Sequence, residues 1–235
     1  MKIEHLEWDS EFFQKKIGKV VIEEFKYDRF ISLLEKAKLH GYELLYVFTP
    51  EFFFIDDQTI IHTGGKLVDR KVLYNQEFQN GYCNPEKVLE YTSPELSNEL
   101  ESLAYISGKY SRFYLDKDFA RGDFYRLYLT WITRSIKKEL ADKVYVIKED
   151  KKLVGMVTLK QNKSGGEIGL FAVFEYARGK GYGTQLIDAC KKALSENEIY
   201  SLKVPTQLAN RNACLFYERC GFRKTSITNI YHFWL

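Results

Sequence analysis

The sequence lacks the features that several function classes require. Its start, "MKIEHLEWDSEFF", has no continuous apolar run, because charges interrupt it throughout. That excludes a signal peptide or membrane span there and leads to the expectation of a cytoplasmic protein with no membrane partner. It has no polybasic tract: 35 basic and 32 acidic residues are spread along the chain for a net charge of +3. The aromatic residues are not interleaved with a basic stripe either, so nucleic acid is not an expected partner, while a small anion remains open. There are only four cysteines, Cys83, Cys190, Cys214 and Cys220, with no CxxC pair. Neither a disulfide framework nor a bound metal is expected from them, and they read as buried thiols. With only four prolines, 45% hydrophobic residues and no repeat or low-complexity tract, the 235 residues read as a globular chain of one large or two small domains.

The pattern along the chain points to α/β architecture. "KVVIEEF" reads as a strand, and Phe30, Leu33, Leu34 and Ala37 then recur at helical spacing before Gly41. "YELLYVFT" and the alternating "GKLVDRKVLYNQEF" read as further strands. "QNGYCNPEK" breaks the series, which places an N-terminal α/β domain at 1–85 and a second domain at 86–235. After the short strand "KVLEYT", Ser93 and Pro94 predict a helix start. A loop, "GKYSRFYLDKDFARGD", leads to an amphipathic helix with Phe124, Leu127, Tyr128, Trp131 and Ile132 on one side. Two strands joined by a tight turn, "KVYVIKED" and "KLVGMVTLK", must be antiparallel neighbours. A third strand, a helix, a strand, a helix and a last strand follow; the closing "IYHFWL" completes either a sheet or a dimer surface.

The chemistry concentrates where "GLFAVFEYARGKGYGTQLID" passes from an apolar strand through three glycines into an amphipathic helix. A helix start offers unpaired N–H groups, and glycine lets an anion approach them closely. The dinucleotide spacing GxGxxG fails here, since counting from Gly179 ends on Thr184 and counting from Gly181 ends on Leu186. The mononucleotide loop fails too, because Gly179-Lys180 is followed by Gly181 rather than Ser or Thr. What remains is Arg178-x-x-Gly181-x-Gly183 at a strand-to-helix turn.

That pattern resembles the acetyl-CoA signature of the GNAT acyltransferase superfamily, and the resemblance runs over about residues 87–235. It implies the GNAT fold, with acetyl-CoA held by the turn Arg178, Gly179, Lys180, Gly181, Tyr182, Gly183 and Thr184 and by the strand Phe171, Ala172 and Val173. "NRNACLFYERCGF" resembles a second family element, which implies that Asn210 orients the cofactor arm and Tyr217 is the general acid. "LEWDSEFFQKKIGKVVI", "YSRFYLDKDFARGDFYRLYLTWI" and "LKVPTQLANRNACLFYERCGF" resemble the TDP-fucosamine acetyltransferases within that superfamily. This implies a homodimer that acetylates a nucleotide-linked amino sugar, with Arg112 at its phosphates and Phe113 or Tyr114 stacked on its rings. No residue stands out as the base: His5, His40, His62, His232 and a water chain all remain open.

Overall fold

The computed structural model describes residues 2–79, 85 and 87–235. Cys83 and most of the expected break at 79–87 lie outside the described residues. The elements run β1 (Glu4–His5), α1 (Glu7–Phe13), β2 (Ile17–Val21), α2 (Tyr27–Leu39), β3 (Leu44–Pro50), α3 (Asp57–Thr63), β4 (Lys66–Glu77) and β5 (Val88–Glu90). They continue with α4 (Asn98–Ser107), α5 (Arg112–Leu115), α6 (Asp123–Ile136), β6 (Lys143–Glu149), β7 (Lys152–Asn162), β8 (Gly165–Val173), α7 (Tyr182–Ser195), β9 (Ser201–Gln207), α8 (Arg211–Arg219) and β10 (Arg223–Trp234).

All ten strands join one mixed sheet in the order β1-β2-β3-β10-β4-β9-β8-β7-β6-β5. The two halves of the chain therefore interleave: β10, from the C-terminus, lies between β3 and β4, and β4 pairs antiparallel with β9. "IYHFWL" is thus interior sheet. No helix among the described residues is long and apolar enough to cross a membrane.

Strand alternation divides the core between the two faces of the sheet. On β3, Leu44 and Tyr46 pack with Leu100, Leu127 and Ile132 of α4 and α6, while Leu45 and Val47 pack with Phe30, Leu33 and Phe233 on the α2 side. The four residues at helical spacing in α2 are its buried residues. Leu186, Ile187, Cys190 and Leu194 of α7 join Cys214 and Tyr217 of α8 in a third cluster.

Local chemistry shifted two boundaries. The helix expected from Ser93 begins at Asn98, because Ser97 accepts from the Leu100 N–H while Ser93 and Glu95 close a separate turn. Inside the expected loop at 108–123, Arg112–Leu115 forms one helical turn entered through Ser111. α1 escapes the periodicity because its seven residues carry three acids and bury only Phe13.

Candidate active site

Two parallel neighbours part company at the centre of the sheet. β8 pairs with β9 only through Gly166 and Glu167, and beyond them the strands diverge. On its other edge β8 stays bonded to β7: Phe174 donates to the Val154 carbonyl at 2.9 Å and Leu170 to Thr158 Oγ1 at 2.8 Å. Ala172 shares their side of the strand, so its backbone groups face β7. Those of Phe171 and Val173 turn to the gap instead. The Val173 carbonyl accepts from Arg178 Nε at 3.3 Å, which ties the strand to the glycine turn.

The turn itself is built for an anion. Gly179 and Gly181 sit at φ +77° and +76°, in the left-handed region that favours glycine, with nothing within 4 Å of where a Cβ would lie. Gly181 is the N-cap of α7 and no side chain caps that helix. Its first N–H groups and the positive end of its dipole are therefore left for a ligand, and the donor set suits a diphosphate. Gly183 has a packing reason as well, since a Cβ there would come within 2.9 Å of the Phe216 ring.

A cleft of about 1600 Å³ joins this turn and gap to a chamber on the α5–α6 side. It is lined by Phe171, Ala172, Val173, Arg178, Gly179, Gly181, Tyr182, Gly183, Thr184, Asn210 and Tyr217, which the sequence singled out, and by Arg112 and Phe113. Lys180 is not brought in, because its ammonium pairs with Glu149 at 2.8 Å. Tyr114 is not brought in either; it packs on Phe124 with ring centroids 4.9 Å apart. Asn210 lines the cleft while its Oδ1 accepts from the Ala213 N–H as the cap of α8, a use that leaves its Nδ2 donors uncommitted to the cap.

Tyr217 is 4% exposed, enclosed by Phe171, Phe216, Phe222 and Tyr74 at ring separations of 5.3 to 6.0 Å. Burial, reinforced by the thiols of Cys220, Cys214 and Cys190, pushes its phenol well above the usual range. The hydroxyl therefore holds its proton at neutral pH, as a proton donor must.

Among the described residues no histidine lines the cleft, so the four histidines weighed for the base are elsewhere. His232 is fully buried with Nδ1 2.6 Å from Asp116 Oδ2. Beside Arg112, the chamber holds ionisable groups the sequence did not single out, among them Asp9, Asp69 and Lys71, next to Trp8 and Phe48. Burial raises the Asp9 carboxyl and lifts that of Asp69 to about 7, in each case against the pull of Arg112. The Arg112 guanidinium is itself held over the Tyr46 ring at 4.1 Å and the Phe113 ring at 4.7 Å. No local motif marks Asp69 in the sequence; only the long-range pairing of β4 between β9 and β10 carries it to the cleft.

Residues 105–222 match the acetyltransferase (GNAT) family model. Among curated proteins, none matches the chain in sequence. Solved structures share its fold, among them the following three. A functionally unknown conserved protein from Staphylococcus epidermidis is 15% identical with a TM-score of 0.63, the match covering 93% of this chain and 82% of that one. A GCN5-related N-acetyltransferase from Sphaerobacter thermophilus is 12% identical with a TM-score of 0.53, covering 87% and 65%. A tandem GNAT protein from the clavulanic acid biosynthesis pathway is 13% identical with a TM-score of 0.53, covering 86% and 67%. With the diverging strands, the uncapped glycine turn and the buried tyrosine in one cleft, the family match covers half of the sequence, and the chain belongs to the acetyltransferase (GNAT) family.

Proposed function

We propose that the protein transfers the acetyl group of acetyl-CoA to the amino group of a nucleotide-linked amino sugar, by direct attack in a ternary complex. The observation that carries this reading is the single cleft. At about 1600 Å³ it exceeds the roughly 300–1,000 Å³ usual for one small-molecule ligand, and its two ends differ in chemistry. The glycine turn suits the coenzyme's diphosphate. The chamber offers Trp8, Phe48 and Phe113 as flat apolar surfaces, Lys71 and Lys109 as cations, and Asp9 and Asp69 as carboxylates for an amine. Trp8, Asp9, Phe48, Asp69 and Lys71 all precede the segment that matches the family, so the N-terminal half supplies acceptor selection in this proposal. The resemblance of three segments to TDP-fucosamine acetyltransferases makes dTDP-4-amino-4,6-dideoxygalactose the first acceptor to try, and it is the basis for proposing a cytoplasmic homodimer.

Bound acetyl-CoA supplies an activated thioester. The chain's own part is positional and electrostatic. The N–H of Val173, turned into the gap, is a donor for charge developing on the carbonyl oxygen, and Tyr217 gives its proton to the departing sulfur. Holding both reactants in one cleft is worth roughly 7–11 kcal/mol of the barrier.

Thiol release from acetyl-CoA tests the reading. Rapid turnover is expected with dTDP-4-amino-4,6-dideoxygalactose and little with UDP-linked amino sugars or spermidine. Acetyl-CoA binding without turnover of any sugar would move the acceptor to a protein, polyamine or antibiotic amine. Gly181→Val probes the cofactor end. Forcing a β-branched residue to positive φ at the N-cap of α7 costs about 1–3 kcal/mol. Calorimetry is expected to show at least about a tenfold loss of acetyl-CoA affinity, 1.4 kcal/mol per decade, with helix content intact.

A further inference from the structure

We infer that Asp69 is the catalytic base, taking a proton from the acceptor's ammonium group and passing it to solvent through a second groove; this rests on the acetyltransferase reading above. Three geometric observations converge on the residue. Asp69 lies in the first half of β4, two residues before Lys71, whose pair with Gln207 is where β9 ends, and so at the end of the sheet where β8 and β9 have separated. The register against β10 slips beside it, Ile230 opposing Asp69 and Tyr231 opposing Leu67. Val68 is then an extra residue, and such a bulge re-aims the neighbouring side chain. Finally, Asp69 lines both the main cleft and a separate groove of about 700 Å³, a wall it shares with only Tyr110 and Leu215 among the described residues.

The groups around it set its proton affinity. From the cleft, Arg112 of α5, Tyr128 of α6 and Asp9 of α1 face the chamber, and Lys71 projects from its own strand. Arg211 and Glu218 of α8 and Lys224 of β10 line the groove. Arg112 and Lys71 favour the carboxylate, but burial outweighs them and places the group near 7. Asp69 thus accepts protons in the neutral range, where a free carboxylate is too weak a base. Asp9 shares the cleft but not the groove, and so lacks the exit.

The step balances. An N–H bond of the ammonium breaks as the Asp69 O–H bond forms, and the freed nitrogen lone pair attacks the thioester carbon. The C–S bond then breaks, and sulfur takes the Tyr217 proton. Of the two protons the nitrogen loses, one leaves by Asp69 and the groove, and the other restores Tyr217.

Two experiments on the full chain test this. A carboxyl carbon NMR titration needs no acceptor: the resonance missing from Asp69→Asn is expected to titrate near 7. A midpoint below about 5, the ordinary range of aspartate, overturns the assignment whatever the acceptor. Thiol release with dTDP-4-amino-4,6-dideoxygalactose gives the second readout. At pH 6.5, kcat/KM of Asp69→Asn is expected to fall about a hundredfold or more, with acetyl-CoA affinity retained and Asp69→Glu recovering part. The variant's rate should climb with pH as the free amine becomes available, closing on wild type. An equal loss at every pH marks a structural role and overturns the proposal. No thiol release by wild type with any amine, at a midpoint near 7, instead sinks the transferase reading and the catalytic role with it.

Discussion

Replacing Tyr217 by Phe is expected to lower kcat about a hundred- to ten-thousand-fold while leaving acetyl-CoA binding nearly unchanged. The substitution removes one oxygen from a ring packed among Phe171, Phe216, Phe222 and Tyr74, so the surroundings accept the phenyl group without a cavity. The loss should therefore fall on the chemical step. Because burial keeps the phenol above its ordinary range, wild type should show no alkaline decline from Tyr217 ionisation near neutral pH. Rapid-quench and steady-state thiol release, with calorimetric titration of acetyl-CoA, separate these terms. Turnover equal to wild type would show that the leaving sulfur receives its proton from another group, and the general-acid role would be withdrawn.

The glycine-turn end of this cleft was legible in the sequence, whereas of the opposite chamber only Arg112 and Phe113 were, for a physical reason. The glycine turn, the strand before it and the Asn210–Tyr217 helix are contiguous or nearly so, and each owes its conformation to its own residue types: glycines at positive φ, an Asn that caps a helix, an apolar strand. Short-range rules read such features directly. Asp69 differs. "GKLVDRKVLYNQEF" shows by alternation that it is a half-buried strand, but only the pairing of β4 with β9 and β10, more than 120 residues away, decides what that strand lines. The same holds for His232. As a lone histidine near the C-terminus it is, in the sequence, as eligible for proton transfer as His5 or His40, but β10 enters the sheet interior and carries it away from the cleft.

His232 has a different task, and it supplies the largest expected stability effect. Asp116 Oδ2 accepts from Trp234 Nε1 at 2.9 Å and lies 2.6 Å from His232 Nδ1, with Lys66 bridging Asp116 and Asp118 at the rim. Burial alone would raise Asp116, but the hydrogen bonds from His232 and Trp234 outweigh it and hold the carboxyl at about 2. Burial lowers His232 to about 4 despite that partner, so the pair is a neutral imidazole donating to a carboxylate. Asp116→Ala leaves two buried donors without an acceptor and should cost about 3–5 kcal/mol in urea unfolding at pH 7. Asp116→Asn, which keeps an acceptor oxygen, should cost less. The pH sign follows from His232: its folded value lies below the unfolded one near 6.5, so its contribution is complete above pH 6.5 and is lost as pH falls toward 4. At 1.36 kcal/mol per pH unit, that is about 3 kcal/mol across the window. Asp116 adds a further loss between about 3.8 and 2. Since Asp116 closes the α5 turn that begins with Arg112, the alanine variant should also raise the acceptor KM and leave acetyl-CoA affinity intact. A loss of less than about 1 kcal/mol, with KM unmoved, would mean that the buried pair neither anchors β10 nor holds Arg112 over the Tyr46 ring.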